Sequence, residues 1–267
     1  MTDPHGAIRH AAAVIEDAAR VLVLTGAGIS TAAGIPDYRG PNGLWTRDPS
    51  AERASRADVY RSDALVRRAA WRRLSDPARA PAIPTRAHFA LALAAGRGDL
   101  LGIVTQNVDG LHRAAGTPPE RLVEIHGRLD RTRCLTCGAR GPTDRVVHRV
   151  RRGDPDPRCE ETIDARPCGG VLSVDIVRFG DALDPADWER AIDWFARADL
   201  LLAVGSTLSV RPVAQLADDL ARSGRDLVIV NAEPTRLDDV ARLVVRGDID
   251  EIVPSLLVRG TTTSPGR

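Results

Sequence analysis

The 267-residue chain contains no lysine; all 37 of its basic side chains are arginine. That excludes chemistry resting on a protein lysine, from Schiff-base catalysis to the phosphate-gripping lysine of a P-loop. Aromatic residues make up only 3% of the chain, so a core must rest on Ala, Val, Leu and Ile. Net charge is nearly absent as well: 36 acidic residues leave +1, which argues against nonspecific nucleic-acid binding as the main task. No run approaches the roughly 18 apolar residues of a membrane span, and the longest uncharged stretch, Val21 to Pro36, is broken by three glycines. The first twenty residues hold Asp3, Glu16 and Asp17 and no apolar block, which predicts no secretory signal and a cytoplasmic location. Only four cysteines occur, and without an export signal they read as metal ligands or free thiols rather than a disulfide framework.

What is present is ordinary for a globular protein, with 43% apolar and 27% charged residues. The length suits one large domain or one domain with inserts, at about 150 residues per domain. Ile8, Ala11, Ala12, Ile15, Ala18 and Ala19 fall at helical spacing, and Val21 to Leu24 then form a short apolar run. Similar runs recur at Leu101 to Val104, Leu122 to Ile125, Ile176 to Val177, Leu200 to Val204, Leu227 to Val230 and Leu243 to Val245. Helical patterns such as Ala186 to Ala198 and Val213 to Ser223 separate most of them. Buried strands alternating with helices predict an α/β fold with a Rossmann-like, doubly wound parallel sheet.

Two segments break the rhythm, and both read as inserts forming a smaller lobe. Residues 40–85 are rich in Arg and Ala and predict a helical insert that ends in an irregular stretch around Pro77, Pro81 and Pro84. Residues 127–173 are polar, rich in Gly and Pro, and hold every cysteine. The remaining pieces, 1–39, 86–126 and 174–259, then make up the main domain, and 260–267 predict a disordered tail.

In open parallel sheets, ligands bind beyond the carboxyl ends of the strands. Here those positions read Thr25-Gly26-Ala27-Gly28-Ile29-Ser30, Gln106-Asn107-Val108-Asp109, His126-Gly127, Gly205-Ser206-Thr207 and Asn231-Ala232-Glu233. Five strand ends with small or hydrogen-bonding groups point to a polar, phosphate-bearing ligand. Gly26-Ala27-Gly28 alone is equally a tight strand-to-helix turn or a backbone that admits a pyrophosphate. It departs from the dehydrogenase fingerprint, because the next glycine is Gly34, Pro36 cuts the helix short, and no acidic residue follows a second strand at the expected spacing. Hydride transfer is therefore disfavoured.

Taken together, GAGIS at 26–30, GIPDYR at 34–39, TQNVDGLH at 105–112, HG at 126–127, two cysteine pairs, VRFG at 177–180, GSTLSV at 205–210 and NAEPT at 231–235 resemble the sirtuin family of NAD-dependent protein deacylases. Residues 40–46 look like the branch that carries G-P-x-G-x-W-T. The resemblance implies an enzyme that releases nicotinamide from NAD and passes an acyl group from lysine to ADP-ribose. It places the pyrophosphate on Gly26, Ala27, Gly28 and on to Thr31, and the nicotinamide end among Ile35, Asp37, Asn107 and Asp109. Arg39, Trp45 and Gln106 would contact phosphate and ribose, and Gly205, Ser206, Thr207, Asn231, Glu233 and Ile249 the adenosine half. The acyl-lysine peptide would pair as a strand beside Val177, Phe179 and Gly180. His126, with Asn107, would carry catalysis, because an imidazole can accept a ribose hydroxyl proton near neutrality. His88, His112 and His148 read as structural.

Cys134-x2-Cys137 and Cys159-x8-Cys168 offer four thiolates, which fill a tetrahedral zinc and leave no open position, so that one zinc would be structural. The eight residues of the second pair must bulge away from the metal; free buried thiols are the alternative. Three positions depart from the family pattern: Tyr38 stands where Phe is usual, Ser206-Thr207 inverts a Thr-Ser order, and Asp181 replaces Glu. Members preferring acidic acyl groups carry a Tyr-x-x-Arg pair, whereas Tyr60 here is followed by Asp63, so acetyl is the default acyl group, with longer fatty acyl chains the alternative if the Ala-rich insert leaves an apolar tunnel. Competing readings are protein ADP-ribosyl transfer or NAD hydrolysis in the same pocket, and a catalytically weak NAD sensor.

Overall fold

Residues 4–38, 40, 43–78 and 81–257 are described by the computed structural model. Helix α1 (Pro4–Asp17) leads into strand β1 (Val21–Thr25), whose five residues are all buried. Four short helices follow, α2 (Leu44–Arg47), α3 (Pro49–Ala54), α4 (Ala57–Ser62) and α5 (Ala64–Leu74), and then α6 (Arg86–Arg97), β2 (Leu100–Thr105), α7 (Leu111–Ala114) and β3 (Leu122–Glu124). The cysteine-bearing segment contains β4 (Gly127–Cys134), β5 (Arg140–Pro142), α8 (Thr143–Arg151), β6 (Thr162–Ile163), β7 (Arg166–Pro167) and β8 (Leu172–Ile176). The chain closes with α9 (Pro185–Arg197), β9 (Leu200–Val204), α10 (Val213–Arg222), β10 (Asp226–Val230), β11 (Leu243–Val245) and α11 (Ile249–Leu256). The tail expected from 260 lies outside the described residues.

Six strands form one parallel sheet in the order β11-β10-β9-β1-β2-β3. From β1 the chain first builds outward through β2 and β3, then returns to the other side of β1 for β9, β10 and β11. The order therefore reverses between β1 and β9, and a crevice opens beyond their carboxyl ends. Side chains alternate across the pleat. Val21, Val23, Leu200 and Leu202 pack under α1, α6 and α11, while Leu22, Leu24, Leu201 and Ala203 pack under α9 and α10. Gly102 sits inside β2 because a Cβ there would meet the Trp194 ring at 2.4 Å.

The run at Ile176 and Val177 does not join this sheet. Strand β8 pairs antiparallel with β4, which pairs with β5, in a separate three-stranded sheet, and residue 174 lies inside β8 rather than at a boundary. A short apolar run reports burial but not which sheet buries it. Gly127 makes the divergence possible: its φ is +81°, and a Cβ there would collide with the Asp175 carbonyl at 2.2 Å.

The helical and cysteine-bearing segments share one small core, in which Trp71 of α5 meets Cys134, Val146, Cys159, Leu172 and Val174. Polar contacts reinforce it. Arg67 forks onto Asp156 with two 2.9 Å hydrogen bonds and donates to the Tyr60 and Arg61 carbonyls. The Tyr60 hydroxyl donates to Leu172 O, and the Arg178 guanidinium stacks 3.7 Å above the Tyr60 ring.

Candidate functional site

The two lips of the crevice are pressed together by glycine. Gly26 N–H donates to Val204 O and Gly28 N–H to Gly205 O, at 3.0 and 2.9 Å. A Cβ on Gly26 would come within 2.7 Å of Gly205 O, one on Gly28 within 2.7 Å of Gly205 Cα, and one on Gly205 within 2.4 Å of Ile29 N. These glycines are thus required by loop-to-loop packing, a reason beyond the approach to a phosphate that their spacing suggests. The segment Ala27–Ala33, with Thr31 exposed on it, is a 3-10 helix that Gly34 ends in the left-handed conformation at φ +80°.

Polar side chains from four strand ends converge behind this loop. Asn107 donates through Nδ2 to Gly26 O (3.1 Å) and Ser30 Oγ (3.2 Å), and Ser30 Oγ donates to Asp109 Oδ2 (2.8 Å). Ser206 Oγ donates to Gln106 Oε1 (2.8 Å) and accepts from Leu208 N–H, which ties β9 to β2 across β1. The inverted Ser206 thus makes a working contact, and Thr207 is exposed beside Ser209 at 2.8 Å. Asn231 Nδ2 donates to Glu233 O (2.7 Å), and Arg246 braces the carbonyls of both residues. Ile249 is buried and packs with Ile29 in the core under the crevice.

His126 stands two residues beyond the end of β3. Its Nδ1 lies 3.0 Å from Gln106 O, and a carbonyl only accepts, so Nδ1 carries the proton and Nε2 keeps its lone pair. Burial lowers its pKa, against a smaller raising effect of the Gln106 bond, so the neutral ring prevails at pH 7. His126 O also accepts from Val177 N–H at 2.8 Å, so the 177–180 segment departs from the catalytic candidate itself.

Beside it stands an aromatic group: Tyr38 and Trp45 rings are 5.0 Å apart, and Trp45 meets Phe179 edge-on at 5.8 Å. Tyr38 and Phe179 are exposed, at 38% and 46%. Asp37 shapes the loop, accepting from Gly40 N–H at Oδ1 and from Leu44 N–H at its carbonyl, and Ile35 is half-buried at its start. Arg39 lies outside the described residues. The main chain of Phe179 is already occupied: its N–H donates to Ser55 O (2.9 Å) and its carbonyl accepts from Ala57 N–H (3.0 Å). Asp181 accepts from Arg178 N–H and pairs with Arg61, so it holds the same segment in place.

A family model described as the Sir2 family matches residues 26–212. The chain belongs to the Sir2, or sirtuin, family. This sirtuin is 44% identical over 237 residues to NAD-dependent protein deacetylase 2 of Streptomyces coelicolor, a match spanning 89% of this chain and 96% of the relative. It is 36% identical to NAD-dependent protein deacylase 2 of Pyrobaculum aerophilum, over 88% of this chain and 89% of that one. Among solved structures, a Sir2 complex with a deacetylated p53 peptide and 3′-O-acetyl ADP-ribose superposes with a TM-score of 0.82 at 30% identity, covering 94% of this chain and 97% of that chain.

The four cysteines of the sirtuin meet at one point. All four Sγ atoms lie within 4.8 Å of one another, with Cys134 to Cys168 and Cys137 to Cys159 each at 3.7 Å. Thiolates at tetrahedral zinc, about 2.3 Å from the metal, are separated by about 3.8 Å, so the donor set fits one structural zinc with no open position. Burial raises the Cys134 thiol, yet the N–H groups of Cys137 and Thr136 outweigh it and bring it down to about 7. The eight residues between Cys159 and Cys168 form the exposed hairpin of β6 and β7, turning at Asp164 and Ala165 with φ of +46° and +61°.

Sequence reasoning missed Arg178, Thr85 and Thr105. Arg178 is buried, with its guanidinium on Tyr60 and donating to Ala54 O and Ser173 Oγ. Nothing local marks an arginine beside an exposed Phe as buried; only the packing of two inserts does.

Proposed function

We propose that this sirtuin is an NAD-dependent protein-lysine deacylase with acetyl as its acyl group, and that His126 is the proton acceptor. The observation that carries the reading is the bond from His126 Nδ1–H to Gln106 O, which leaves Nε2 as a base at the edge of the crevice. Such a base needs a pKa near or below the working pH, and burial supplies that.

NAD, as co-substrate, supplies a ribose carbon with nicotinamide as its leaving group. Asn107 and Asp109, braced through Ser30, hold hydrogen-bonding groups at the nicotinamide end; Gln106 and Ser206 hold the ribose region, and Asn231 and Glu233 border the adenosine end. His126 Nε2 then takes a proton from a ribose hydroxyl. Tyr38 and Trp45 offer an aromatic pair to the nicotinamide end. Because Phe179's main chain is bound to the helical segment, an added substrate strand would meet Gly180's main chain and Phe179's exposed ring. Tyr60 is buried under Arg178 with Asp63 capping α5, which supports no acidic acyl preference.

Nicotinamide release from NAD, with and without an acetyl-lysine peptide, tests the reading, with His126→Ala as control. Release that requires peptide, yields free lysine and falls at least a hundredfold in the variant is expected, from the size of general-base effects of about 10² or more. Release indifferent to peptide would favour ADP-ribosyl transfer or NAD hydrolysis instead. Full turnover by His126→Ala would remove that residue from the mechanism.

A further inference from the structure

Two imidazoles lie in the core beneath the crevice and take no part in the proposed reaction. His88 is fully buried in α6 and His112 nearly so in α7, with ring centroids 4.8 Å apart in an edge-to-face arrangement. Each has one nitrogen satisfied and one orphaned: His88 Nε2 and His112 Nδ1 are buried with no hydrogen-bond partner. Buried polar atoms are rarely left so, and an orphaned N–H is rarer than an orphaned lone pair.

The neighbours decide both tautomers. Thr85 N–H points at His88 Nδ1 at 3.3 Å, and an amide only donates, so Nδ1 accepts and Nε2 carries the proton. The Thr85 hydroxyl, 2.8 Å from the same nitrogen, donates its single proton there rather than to Ile29 O at 3.3 Å. On the other ring, Thr25 Oγ1 lies 2.9 Å from His112 Nε2 and donates its single proton to Thr105 Oγ1 at 2.8 Å. His112 Nε2 must then be the donor to Thr25, which leaves its Nδ1 as a lone pair. The unpartnered atoms are then a donor on His88 and an acceptor on His112.

The chain of bonds continues toward the site. Thr105 Oγ1, supplied by Thr25, also accepts Asn107 N–H at 3.1 Å, and Asn107 in turn holds Gly26 O and Ser30 Oγ. We infer that His112, held as the Nε2–H tautomer, is a positioning residue that orients Thr25 and Thr105 and through them fixes the Asn107 backbone. The inference deepens the deacylase reading and rests on it only for its kinetic arm. Burial keeps both rings neutral, against the raising influence of Asp109 and Asp250 on His88.

The test has two arms on the full chain. Nitrogen-15 NMR of histidine-labelled protein at pH 7 should show both rings neutral and protonated at Nε2; His112 protonated at Nδ1 would overturn the proposal whatever the enzyme does. In nicotinamide release with acetyl-lysine peptide, His112→Gln, which keeps a donor at the Nε2 position, should stay within about threefold of wild type in kcat, whereas His112→Phe should lose about tenfold with little change in KM, the size of one charge-free hydrogen bond. Thr25→Val should lose as much, and the double variant no more than either alone, because both cut the same chain. Equal loss in the Gln and Phe variants, or additive losses, would overturn it. If His112→Phe fails to fold, Thr25→Val against Thr25→Ser carries the same comparison. A wild-type protein without release would sink the deacylase reading while leaving the NMR result to decide the tautomers.

Discussion

The large sheet and the small lobe are held together by different chemistry. Strands β1, β9 and β10 bury Leu, Val, Ile and Ala between two helical layers, and nothing in their centre is charged. Among the described residues, the core cluster shared by the two segments of the small lobe has six buried members, two of them cysteines, and it is reinforced by the Arg67–Asp156 fork, the Arg178 stack on Tyr60 and four convergent thiols. Apolar burial is non-directional and tolerates small shifts, whereas a thiol tetrahedron or a buried ion pair fails as a unit once one member is lost. The small lobe is therefore the more breakable half.

Metal removal should separate the halves most sharply. A strong chelator, or Cys134→Ser, is expected to unfold the small lobe and abolish deacylation while circular dichroism retains the helices of the main domain, because a structural zinc site of this type contributes about 10 kcal/mol or more. Single cooperative loss of both halves would show that they are one folding unit. Next in size, Arg67→Ala leaves the half-buried Asp156 with Arg158 as its remaining ion-pair partner and should cost about 3 kcal/mol in denaturant unfolding; Arg67→Met together with Asp156→Leu should recover most of it. Leu202→Ala in the large core should cost about 2–5 kcal/mol, with no comparable double-variant rescue.

Acid sharpens the comparison from the other side. Burial lowers His88 to about 4, against an unfolded value near 6.5, so the unfolded chain binds the extra proton between these values. The contribution of His88 to stability should accordingly be complete above about pH 6.5 and fall by about 3 kcal/mol as pH drops to 4, with His112 and His126 adding losses in the same direction. His88→Asn, titrated by denaturant midpoint against pH, should remove that share of the slope. At the small end, Arg222→Ala on the exposed face of α10 removes an i,i+4 pair with Asp218 and should cost no more than about 0.5 kcal/mol.

The strand ends were readable because parallel strands buried on both faces are written as continuous apolar runs, each stopped by polar or small residues. Thr25-Gly26, Gln106-Asn107, His126 and Gly205-Ser206 all stand where that rule put them, at one edge of the sheet. The run at Ile176 and Val177 misled because burial against β4 and burial in the main sheet leave the same apolar signature. The glycines at 26, 28 and 205 were visible, but their mutual contact was not, since residues 28 and 205 come together only through the pairing of β1 with β9.

The residues themselves determined the alternation of strand and helix, the polar strand ends, the four thiols and the absence of any lysine, because each of these is written in local pattern or composition. Tertiary structure alone decided that Cys134, Cys137, Cys159 and Cys168 converge, that Arg67 and Arg178 are buried, that Phe179's main chain is occupied, and which nitrogen of His126 carries its proton. Those properties depend on partners between 20 and 124 positions away in the chain, and only closure of the fold brings such groups within hydrogen-bond distance.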